Sequence, residues 1–461
     1  MTDKSFAALE LGPQWLENLE QLGYEEMTGI QAAALPVMLK GTDVIGLANT
    51  GTGKTAAFGL ALLSKITPSG RLPGALVLCP TRELADQVAE ELRRLARPLA
   101  NTNVITICGG RSFSRQKQAL DNGVDIIVGT PGRVLDHLNK ETLVLTKATT
   151  VVLDEADRML DMGFFDDVEA IIGKTPSHRQ TLLFSATLPD EIRELSDRIQ
   201  KDAHFIEARA AEETPDISQV LYDIGEMERL EVLERVLEKH RPQSAVIFCN
   251  QRDTCEDVLD RLLSLGYDAA TLHGGMEQQD RDRTLLLFSN RSLKLLVATN
   301  VAARGIDIEE LDAVINYELP RESKTFVHRV GRTGRAGEEG LAISLVSDND
   351  ERRINELDDH LGQITPRKAS SLQPHGHRPE PAPMMTVAIQ GGRKDKLRPG
   401  DIVGAITGDF GFDGSEIGDI KILDRIAFVA LSRKIANDVL NKVQKGRIKN
   451  RTFRAFMVTS Q

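Results

Sequence analysis

The sequence has few cysteines, few aromatic residues and no long apolar run. Its four cysteines show no CxxC spacing, which argues against a zinc site or a disulfide framework and favours a reducing compartment. No stretch of ~18 uninterrupted apolar residues is present, and no signal-peptide pattern follows the first residues. We therefore expect no membrane association and a cytoplasmic location.

Basic residues are outnumbered by acidic ones overall, but they are unevenly distributed along the chain. The chain has 57 Lys and Arg against 68 Asp and Glu, and a net charge of −11 counts on its face against nucleic-acid binding. Residues 362–461 nevertheless hold 17 basic and 9 acidic residues, a net +8, whereas residues 1–361 carry −19. An apolar fraction of 41% over 461 residues allows about three hydrophobic cores, which excludes a disordered or fibrous chain.

Short, continuous apolar runs indicate strands that are buried on both faces of parallel sheets. Helical patterns such as residues 83–95 separate them, so the pattern predicts two consecutive α/β units. The first series of predicted strands is 43–48, 75–79, 104–108, 125–128, 149–153 and 181–184. The second series is 245–248, 269–272, 293–298, 313–317 and 341–346.

The carboxyl-terminal part follows a different pattern. Residues 366–383 contain five prolines and are predicted to be an extended linker. Strands at 386–390, 417–423, 426–431 and 451–458, with helices at 399–407 and 433–444, give the βαββαβ order of many small RNA-binding modules. The predicted organisation is thus domains at 1–208, 218–365 and 384–461, with linkers at 209–217 and 366–383.

A glycine-rich segment between a predicted strand and a predicted helix indicates a phosphate loop. Its backbone N–H groups can face phosphate oxygens, Lys54 can reach the outer phosphates, and the Thr55 hydroxyl can bind Mg²⁺. A plain glycine turn before a helix is the alternative interpretation. The segment comprises Ala48, Asn49, Thr50, Gly51, Thr52, Gly53, Lys54 and Thr55.

An acidic turn follows the predicted strand at 149–153. Asp154 can hold Mg²⁺ through water, and Glu155 can orient and deprotonate an attacking water. Such a turn on its own is more often a solvated helix start, but the preceding phosphate loop favours the catalytic interpretation.

The sequence Asp154-Glu155-Ala156-Asp157 is the name-giving motif of the DEAD-box RNA helicases, and residues 6–350 resemble that family. The resemblance implies two tandem RecA-like parallel-sheet domains, ATP and Mg²⁺ as cofactors, and RNA as partner. It also implies an adenine-reading motif in which the Gln31 amide selects ATP. The residues of that motif are Phe6, Tyr24, Thr28 and Gln31.

The same resemblance assigns further roles. It implies contacts to the RNA backbone in the first domain through Pro80, Thr81, Arg82, Gly110, Thr130, Pro131, Gly132 and Arg133. It implies RNA contacts in the second domain through Asn250, His273, Gly274, Arg281 and Thr299. Coupling of hydrolysis to strand separation falls to Asp157, Ser185, Thr187 and His328.

Arginine fingers on the γ-phosphate are implied at Arg332 and Arg335, and ATP contacts at Gly305 and Asp307, the latter to the ribose. A basic run that only binds RNA is the alternative for residues 329–335. Asn300 departs from the family, which usually has Asp there, and leaves an uncharged acceptor.

The carboxyl-terminal module resembles the RRM-like domain of the DbpA subgroup, whose members dock on large-subunit ribosomal RNA. Of its consensus aromatic positions only Phe428 is aromatic, so we expect little base stacking on the sheet. A solvated basic face is the alternative to RNA binding by the clustered charges. The basic residues expected to contact RNA are Arg393, Lys394, Lys396, Arg398, Lys445, Arg447, Lys449 and Arg451.

These features predict an ATP-dependent RNA helicase that locally unwinds or remodels 23S ribosomal RNA in 50S subunit assembly. No obligate protein partner is inferred. The alternatives are a DNA helicase or translocase, an ATP-timed RNA clamp or assembly platform without significant unwinding, and a helicase acting on another structured RNA.

Overall fold

The computed structural model describes residues 4–9, 11–48, 51–68, 71–207, 217–300, 311–334, 340–357, 365–374, 376 and 378–459. These residues form two compact units, one up to residue 207 and the other from residue 217 onward. The second unit contains both a parallel-sheet domain and the carboxyl-terminal module.

The first unit is a parallel β-sheet between two layers of helices. Its strands are β1 (Val44–Leu47), β2 (Ala75–Leu78), β3 (Val104–Ile107), β4 (Ile126–Gly129), β5 (Thr150–Leu153), β6 (Gln180–Ser185) and β7 (His204–Glu207). They are ordered β3-β4-β2-β5-β6-β1-β7, and all neighbours are parallel. The described helices are α1 (Pro13–Gln21), α2 (Gly29–Leu39), α3 (Lys54–Leu63), α4 (Arg82–Leu95), α5 (Phe113–Asp121), α6 (Pro131–Asn139), α7 (Ala156–Asp161), α8 (Phe165–Ile172) and α9 (Asp190–Ile199).

Hydrophobic cores lie on both faces of this sheet. Val151 and Leu183 pack into one core, while Val152 and Leu182, their chain neighbours, pack into the other. This burial explains why the strands are continuous apolar runs, and it confirms the predicted parallel sheet. The edge strand β7 was not predicted, because only Ile206 of its four residues is buried.

The second unit begins with an equivalent domain. Its strands are β8 (Ile217–Asp223), β9 (Ala245–Cys249), β10 (Ala269–Leu272), β11 (Leu295–Thr299), β12 (Ala313–Asn316), β13 (Gly340–Val346) and β14 (Arg367–Lys368). The order is β10-β11-β9-β12-β13-β8-β14, again with parallel neighbours. The described helices are α10 (Arg229–His240), α11 (Arg252–Ser264), α12 (Gln278–Ser289), α13 (Ser323–Val330) and α14 (Glu351–Glu356).

The segment 366–383 differs at both ends from the extended linker that its prolines predict. Arg367 and Lys368 form β14 beside β8, and Ala369 and Leu372 are buried in the core of the second parallel-sheet domain. Ala382 is fully buried as well. Apolar residues between the prolines thus attach parts of this segment to the domain.

The carboxyl-terminal module is a four-stranded antiparallel sheet with helices on one face. It contains β15 (Met384–Ile389), α15 (Pro399–Gly404), β16 (Ile417–Ile422), β17 (Ala427–Ser432), α16 (Ala436–Lys445) and β18 (Ala455–Met457). The strand order β16-β17-β15-β18 confirms the predicted α+β, RRM-like βαββαβ module. β18 is shorter than predicted because residues 448–451 form a turn, with Lys449 and Asn450 at positive φ.

No helix in the described part of the chain is both long and apolar enough to cross a membrane.

Candidate nucleotide and RNA sites

Three neighbouring strands of the first sheet position the predicted nucleotide residues. The phosphate loop follows β1, the acidic turn follows β5, and Ser185-Ala186-Thr187 ends β6, and these strands are adjacent in the order β5-β6-β1. Because all three run in parallel, the motifs meet at the carboxyl edge of the sheet, where open α/β sheets bind ligands.

The phosphate loop is arranged around two left-handed glycines and a buried lysine. Gly51 and Gly53 have φ angles of 80° and 83°, which favour glycine. Lys54 begins α3, and its Nζ donates a hydrogen bond to the Ala48 carbonyl over 2.9 Å. Thr55 follows in the first turn of that helix, half-buried. A lysine and a hydroxyl thus stand together at a helix amino terminus, a suitable site for phosphate.

Gln31 connects the adenine motif to this loop. Its Oε1 accepts the Thr28 N–H over 2.9 Å, and its Nε2 donates to the Gly53 carbonyl over 3.0 Å. The Thr28 hydroxyl donates to the Thr52 carbonyl over 2.7 Å. Each end of the Gln31 amide therefore has a protein partner and one further bond to offer, and its contact with adenine stays a prediction.

Phe6 and Tyr24 lie edge to face, with ring centroids 6.2 Å apart. The Tyr24 hydroxyl donates to Glu91 Oε1 over 2.6 Å, and burial, reinforced by this bond, raises the pKa of Tyr24. The aromatic pair therefore attaches the amino-terminal segment to α4.

The acidic turn holds its carboxylates in a strained and buried position. Glu155 caps α7 with φ 53° and ψ 54°, a left-handed conformation that is uncommon for a residue with a side chain. Arg158 Nη1 contacts Glu155 Oε2 at 2.7 Å, and both side chains are buried. Sequence reasoning missed Arg158, although its spacing from Glu155 is that of a helical i,i+3 pair.

Two oxygens of this turn suit a divalent cation. Asp154 Oδ1 and Glu155 Oε1 are buried and have no hydrogen-bond partner among the described residues. Burial raises the pKa of Asp154 to about 6, with Lys54 opposing the change and Glu155 adding to it. Buried oxygens without partners match the ligands that Mg²⁺ prefers, and the described residues bring no cluster of three metal-binding side chains together. Magnesium held here would take its remaining ligands from phosphate and water.

Asp157 links the acidic turn to the end of β6. Its Oδ2 accepts from the Thr187 N–H over 3.0 Å and from the Thr187 hydroxyl over 2.9 Å. Its own N–H donates to Ser185 Oγ over 3.2 Å. The acidic turn and the Ser-Ala-Thr segment are thus joined by direct hydrogen bonds.

The predicted RNA residues of the first unit follow β2, β3 and β4, which are neighbours beside β5. Thr81, after Pro80, caps α4 by accepting the Leu84 N–H, and the Arg82 guanidinium lies against Gly110 so closely that a Cβ there would overlap it. Thr130 and Pro131 begin α6, and Gly132 and Arg133 complete its first turn. Helix amino termini and small residues therefore line this part of the edge, which suits RNA phosphates.

Gln116 holds Arg133 in place, and sequence reasoning missed it. Gln116 is buried; its Oε1 accepts from Arg133 Nη1 over 2.8 Å, and its Nε2 donates to the Cys108 carbonyl over 2.8 Å. Arg133 Nη1 also donates to the Arg111 carbonyl over 2.9 Å. One buried amide thus connects the loop after β3 with the start of α6.

The second unit repeats this placement. His273 and Gly274 follow β10, Thr299 ends β11, and Asn250 follows β9, on three adjacent strands. His273 Nδ1 accepts the Gly275 N–H over 3.2 Å, so its Nε2 carries the proton and donates to Glu256 over 2.5 Å. Arg281 lies half-buried in the first turn of α12.

Arg329 organises the centre of this edge and was also missed. Its guanidinium is buried and donates to the side-chain oxygens of Asn250, Asn300 and Asn316 over 3.0, 2.6 and 2.9 Å, and to the Glu318 carbonyl over 2.7 Å. Burial lowers the pKa of Arg329 to about 9. Asn300, where the family usually has Asp, therefore acts as an acceptor for Arg329.

Of the predicted γ-phosphate residues, Arg332 is buried just after α13, and His328 is half-buried within that helix. Five predicted site residues lie outside the described part of the chain: Asn49, Thr50, Gly305, Asp307 and Arg335.

The carboxyl-terminal module brings four of its predicted basic residues together. A depression on its surface is lined by Arg393, Lys396, Leu397, Arg398 and Lys449. Arg451 is paired with Asp395 at 3.0 Å, and Lys394 pairs with Asp424 at 3.1 Å. Lys445 and Arg447 are exposed. We call Arg393, Lys396, Arg398 and Lys449 the basic cluster.

The open sheet face of the module carries two phenylalanines. Phe428 on β17 and Phe456 on β18 flank Ala388 of β15, and Phe456 is 45% exposed. Phe456 was not among the predicted site residues, although it lies within the strand predicted at 451–458.

Three family models match the chain in the order of its domains. Residues 28–195 match the DEAD/DEAH box helicase model, residues 228–337 the helicase conserved C-terminal domain, and residues 386–455 the DbpA RNA binding domain. The chain is 49% identical to ATP-dependent RNA helicase DbpA of Escherichia coli, over 96% of this chain and 97% of that protein. The chain is a DEAD-box RNA helicase of the DbpA-like subgroup.

Other relatives agree with this assignment. This helicase is 37% identical to the ATP-dependent RNA helicase DbpA of Bacillus subtilis, over 97% of this chain and 98% of that protein. The solved structure of S. cerevisiae Dbp5 bound to RNA and ADP BeF3 has a TM-score of 0.71 and 34% identity, covering 79% of this chain and 95% of that chain. The DEAD-box helicase therefore uses ATP, binds RNA and has RNA helicase activity.

Proposed function

We propose that this helicase opens or remodels short duplexes of 23S ribosomal RNA during assembly of the large ribosomal subunit. The proposal is carried by one observation: the module that matches the DbpA RNA binding domain gathers four basic side chains around one depression. Assembly of ribosomal subunits would place the protein in the cytoplasm.

The nucleotide residues have distinct roles in the proposal. Lys54 and the glycine loop hold the phosphates of ATP, while Thr55 and Asp154 hold Mg²⁺, whose charge neutralises phosphate oxygens when it is bound. Glu155 orients the attacking water and accepts its proton at Oε1, which has no hydrogen-bond partner among the residues that the structure describes. Arg332 and Arg335 stabilise the transferred charge, and Asp307 with Gly305 holds the ribose.

RNA binding and hydrolysis depend on each other in this proposal. The phosphate loop belongs to the first parallel-sheet domain and the arginine fingers to the second, so ATP needs both domains. The RNA residues after β2, β3, β4, β9, β10 and β11 grip the backbone of one strand without reading bases. Asp157, Ser185, Thr187 and His328 couple hydrolysis to strand separation, after which the domains separate.

The basic cluster supplies selectivity for ribosomal RNA. Positive charge on loops at one end of a sheet attracts phosphates of a folded RNA, and its removal weakens binding in a salt-dependent way. Four further basic residues of the module, Lys394, Lys445, Arg447 and Arg451, extend this surface. Phe428, half-buried, contributes little stacking.

Replacing all four residues of the basic cluster with Ser tests the proposal. We expect the stimulation of ATP hydrolysis by 23S ribosomal RNA to fall to the level obtained with unstructured RNA, which should itself stay unchanged. The matched control replaces four exposed cations elsewhere on the module, Lys421, Arg425, Lys434 and Arg454, with Ser. If the cluster variant still prefers 23S ribosomal RNA, the basic cluster does not tether that RNA and the proposal is refuted. If the stimulation of ATP hydrolysis by another structured RNA falls equally, the substrate is a different RNA.

A further inference from the structure

The module is joined to the second parallel-sheet domain by a half-buried polar junction. Asp268 Oδ2, just before β10, accepts from the Ala382 N–H over 2.6 Å and from Arg433 Nη2 over 2.9 Å. Arg433 Nε in turn donates to the Ala382 carbonyl over 2.7 Å. Arg433 thus closes a ring of hydrogen bonds between the domain, the end of segment 366–383 and the module.

A second set of contacts lies beside this ring. Thr386 is buried on β15; its Oγ1 accepts from Asn290 Nδ2 over 3.1 Å and lies 2.8 Å from Ser292 Oγ. The Met384 N–H donates to the Arg291 carbonyl over 3.3 Å. The turn between α12 and β11 therefore packs directly against the first strand of the module.

These contacts use the face of the sheet that the module's helices leave open. Val387 and Ile389 point into the module's own core, so Thr386 and Ala388 face the other way. The end of this face is closed by Asn290 and Ser292. The junction holds the module by directional bonds, because hydrogen bonds between buried groups fix an orientation more sharply than apolar contact does.

The Asp268–Arg433 pair contributes orientation more than stability. The two side chains are 34% and 38% exposed, so screening by water leaves the ion pair a small free-energy contribution. Its value lies in geometry, since Arg433 reaches both a carboxylate and a backbone carbonyl. Removing it should release the module without unfolding either partner.

The junction and the basic cluster lie at opposite ends of β15. The strand starts at the junction with Met384 and ends at Ile389, shortly before Arg393, and six residues of strand span about 20 Å. The junction also borders the amino ends of β10 and β11, whereas the candidate RNA residues His273 and Thr299 lie at their carboxyl ends. RNA on the basic cluster is thereby held at a fixed distance from those residues.

We propose that Asp268, Arg433, Asn290 and Thr386 are positioning residues that make the module a rigid arm. The arm sets how many nucleotides separate the RNA bound on the module from the duplex that the helicase opens. This inference rests on the proposed tethering of ribosomal RNA by the basic cluster.

The test combines Thr386→Val with Arg433→Ala and uses Lys434→Ala as the control, since Lys434 is an exposed neighbour with the same charge. Substrates carry the tightest-binding fragment from a tiled set of 23S ribosomal RNA, joined through single-stranded spacers of increasing length to one short duplex. Dyes on cysteines introduced in the module and in the second domain report their distance by FRET, because all four native cysteines are buried.

We expect unwinding by the wild-type and control proteins to peak at one spacer length. In the double variant the FRET distribution should broaden and the peak rate should fall about fivefold toward a flat profile, as a flexible tether lowers the effective concentration of the duplex. Affinity for the fragment and ATP hydrolysis with unstructured RNA should not change.

Two results would overturn the inference: an unchanged FRET distribution in the double variant, or a broadened distribution with an unchanged spacer profile. If wild-type protein shows no preference for any 23S fragment, the proposed function fails instead. The same spacer series, built on the RNA that the module does bind, then decides between a rigid and a flexible arm.

Discussion

The two parallel-sheet domains share one strand order but differ in how the buried charged groups at their carboxyl edges are partnered. At the carboxyl edge of the first, Asp154 and Glu155 each keep a buried oxygen without a partner among the described residues. At the same edge of the second, Arg329 donates to three asparagine side chains and a carbonyl. The first edge is thus left ready for a cation, whereas the second is already internally satisfied.

This difference teaches that a repeated scaffold does not carry a repeated chemistry. The order β3-β4-β2 in one domain and β10-β11-β9 in the other places RNA residues at equivalent positions. The nucleotide chemistry depends on side chains of opposite sign that the scaffold does not dictate. Changing those charges one at a time should therefore affect the domains differently.

The largest expected effect is that of a substitution at the carboxyl edge of the first sheet, which we call the acidic edge because it holds Asp154 and Glu155. Glu155→Gln should lower the rate of ATP hydrolysis by at least about 100-fold, because it removes the proton acceptor, while ATP and RNA still bind. Single-turnover hydrolysis and equilibrium binding measure the two effects. Arg158→Gln is the control: an equal loss there would attribute the defect to the broken ion pair, and an unimpaired Glu155→Gln enzyme would favour an assembly platform.

At the carboxyl edge of the second sheet, which we call the basic edge because Arg329 lies at its centre, the expected effect of a substitution is mainly on the stability of the domain. Arg329→Met should lower the free energy of unfolding of the second domain by about 3 kcal/mol, since it leaves several buried acceptors without their donor. Hydrogen exchange resolved by domain would show the loss in strands β9, β11 and β12 and none in the first sheet. Equal deprotection of both sheets would contradict the comparison.

A pH dependence should distinguish the two edges. Burial raises the pKa of Asp154 to about 6, above that of Asp in an unfolded chain. The folded state therefore binds this proton more tightly than the unfolded state does. This stabilising contribution is present at low pH and is lost as the pH rises through about 6. Asp154→Asn should therefore raise the melting temperature of the nucleotide-free protein by several degrees at pH 8, with a shrinking gain toward pH 4.

The smallest expected effect is that of adding a carboxylate beside Arg329 at the basic edge. Asn300→Asp places a carboxylate against Arg329 Nε, and the charged hydrogen bond should stabilise the second domain by about 1 kcal/mol. Thermal unfolding compared with Asn355→Asp, an exposed position on α14, measures the gain. A melting temperature that falls would mean that the site prefers a neutral acceptor.

Local patterns predicted much of this structure. Most strands of the two parallel sheets could be located because each is a short apolar run, and the motifs because they occupy the loops that follow those runs. Strands β8 and β14 were not predicted, since their residues were assigned to linkers or left unassigned. The tight turn at Lys449 and Asn450 and the edge strand β7 lacked such a pattern, so the start of β18 was misplaced and β7 was not predicted.

Two of the residues that sequence reasoning missed have partners far away in the chain. Arg329 meets Asn250, 79 positions earlier, and Arg433 meets Asp268 across 165 positions. Buried polar side chains of this kind have no periodic signal, since their burial is decided by distant elements. The burial of Ala369 and Leu372 was likewise not predicted, because they lie in a proline-rich segment and their burial depends on the adjoining core.

The left-handed backbone of Glu155 has a consequence for how this chain can change. A glycine or asparagine would adopt φ 53° more readily, so keeping glutamate there costs about 1 kcal/mol of stability. Selection for heat resistance and selection for ATP turnover therefore act in opposite directions on one codon. Libraries screened only for thermal survival should lose this acid early, and only a screen for activity would retain it.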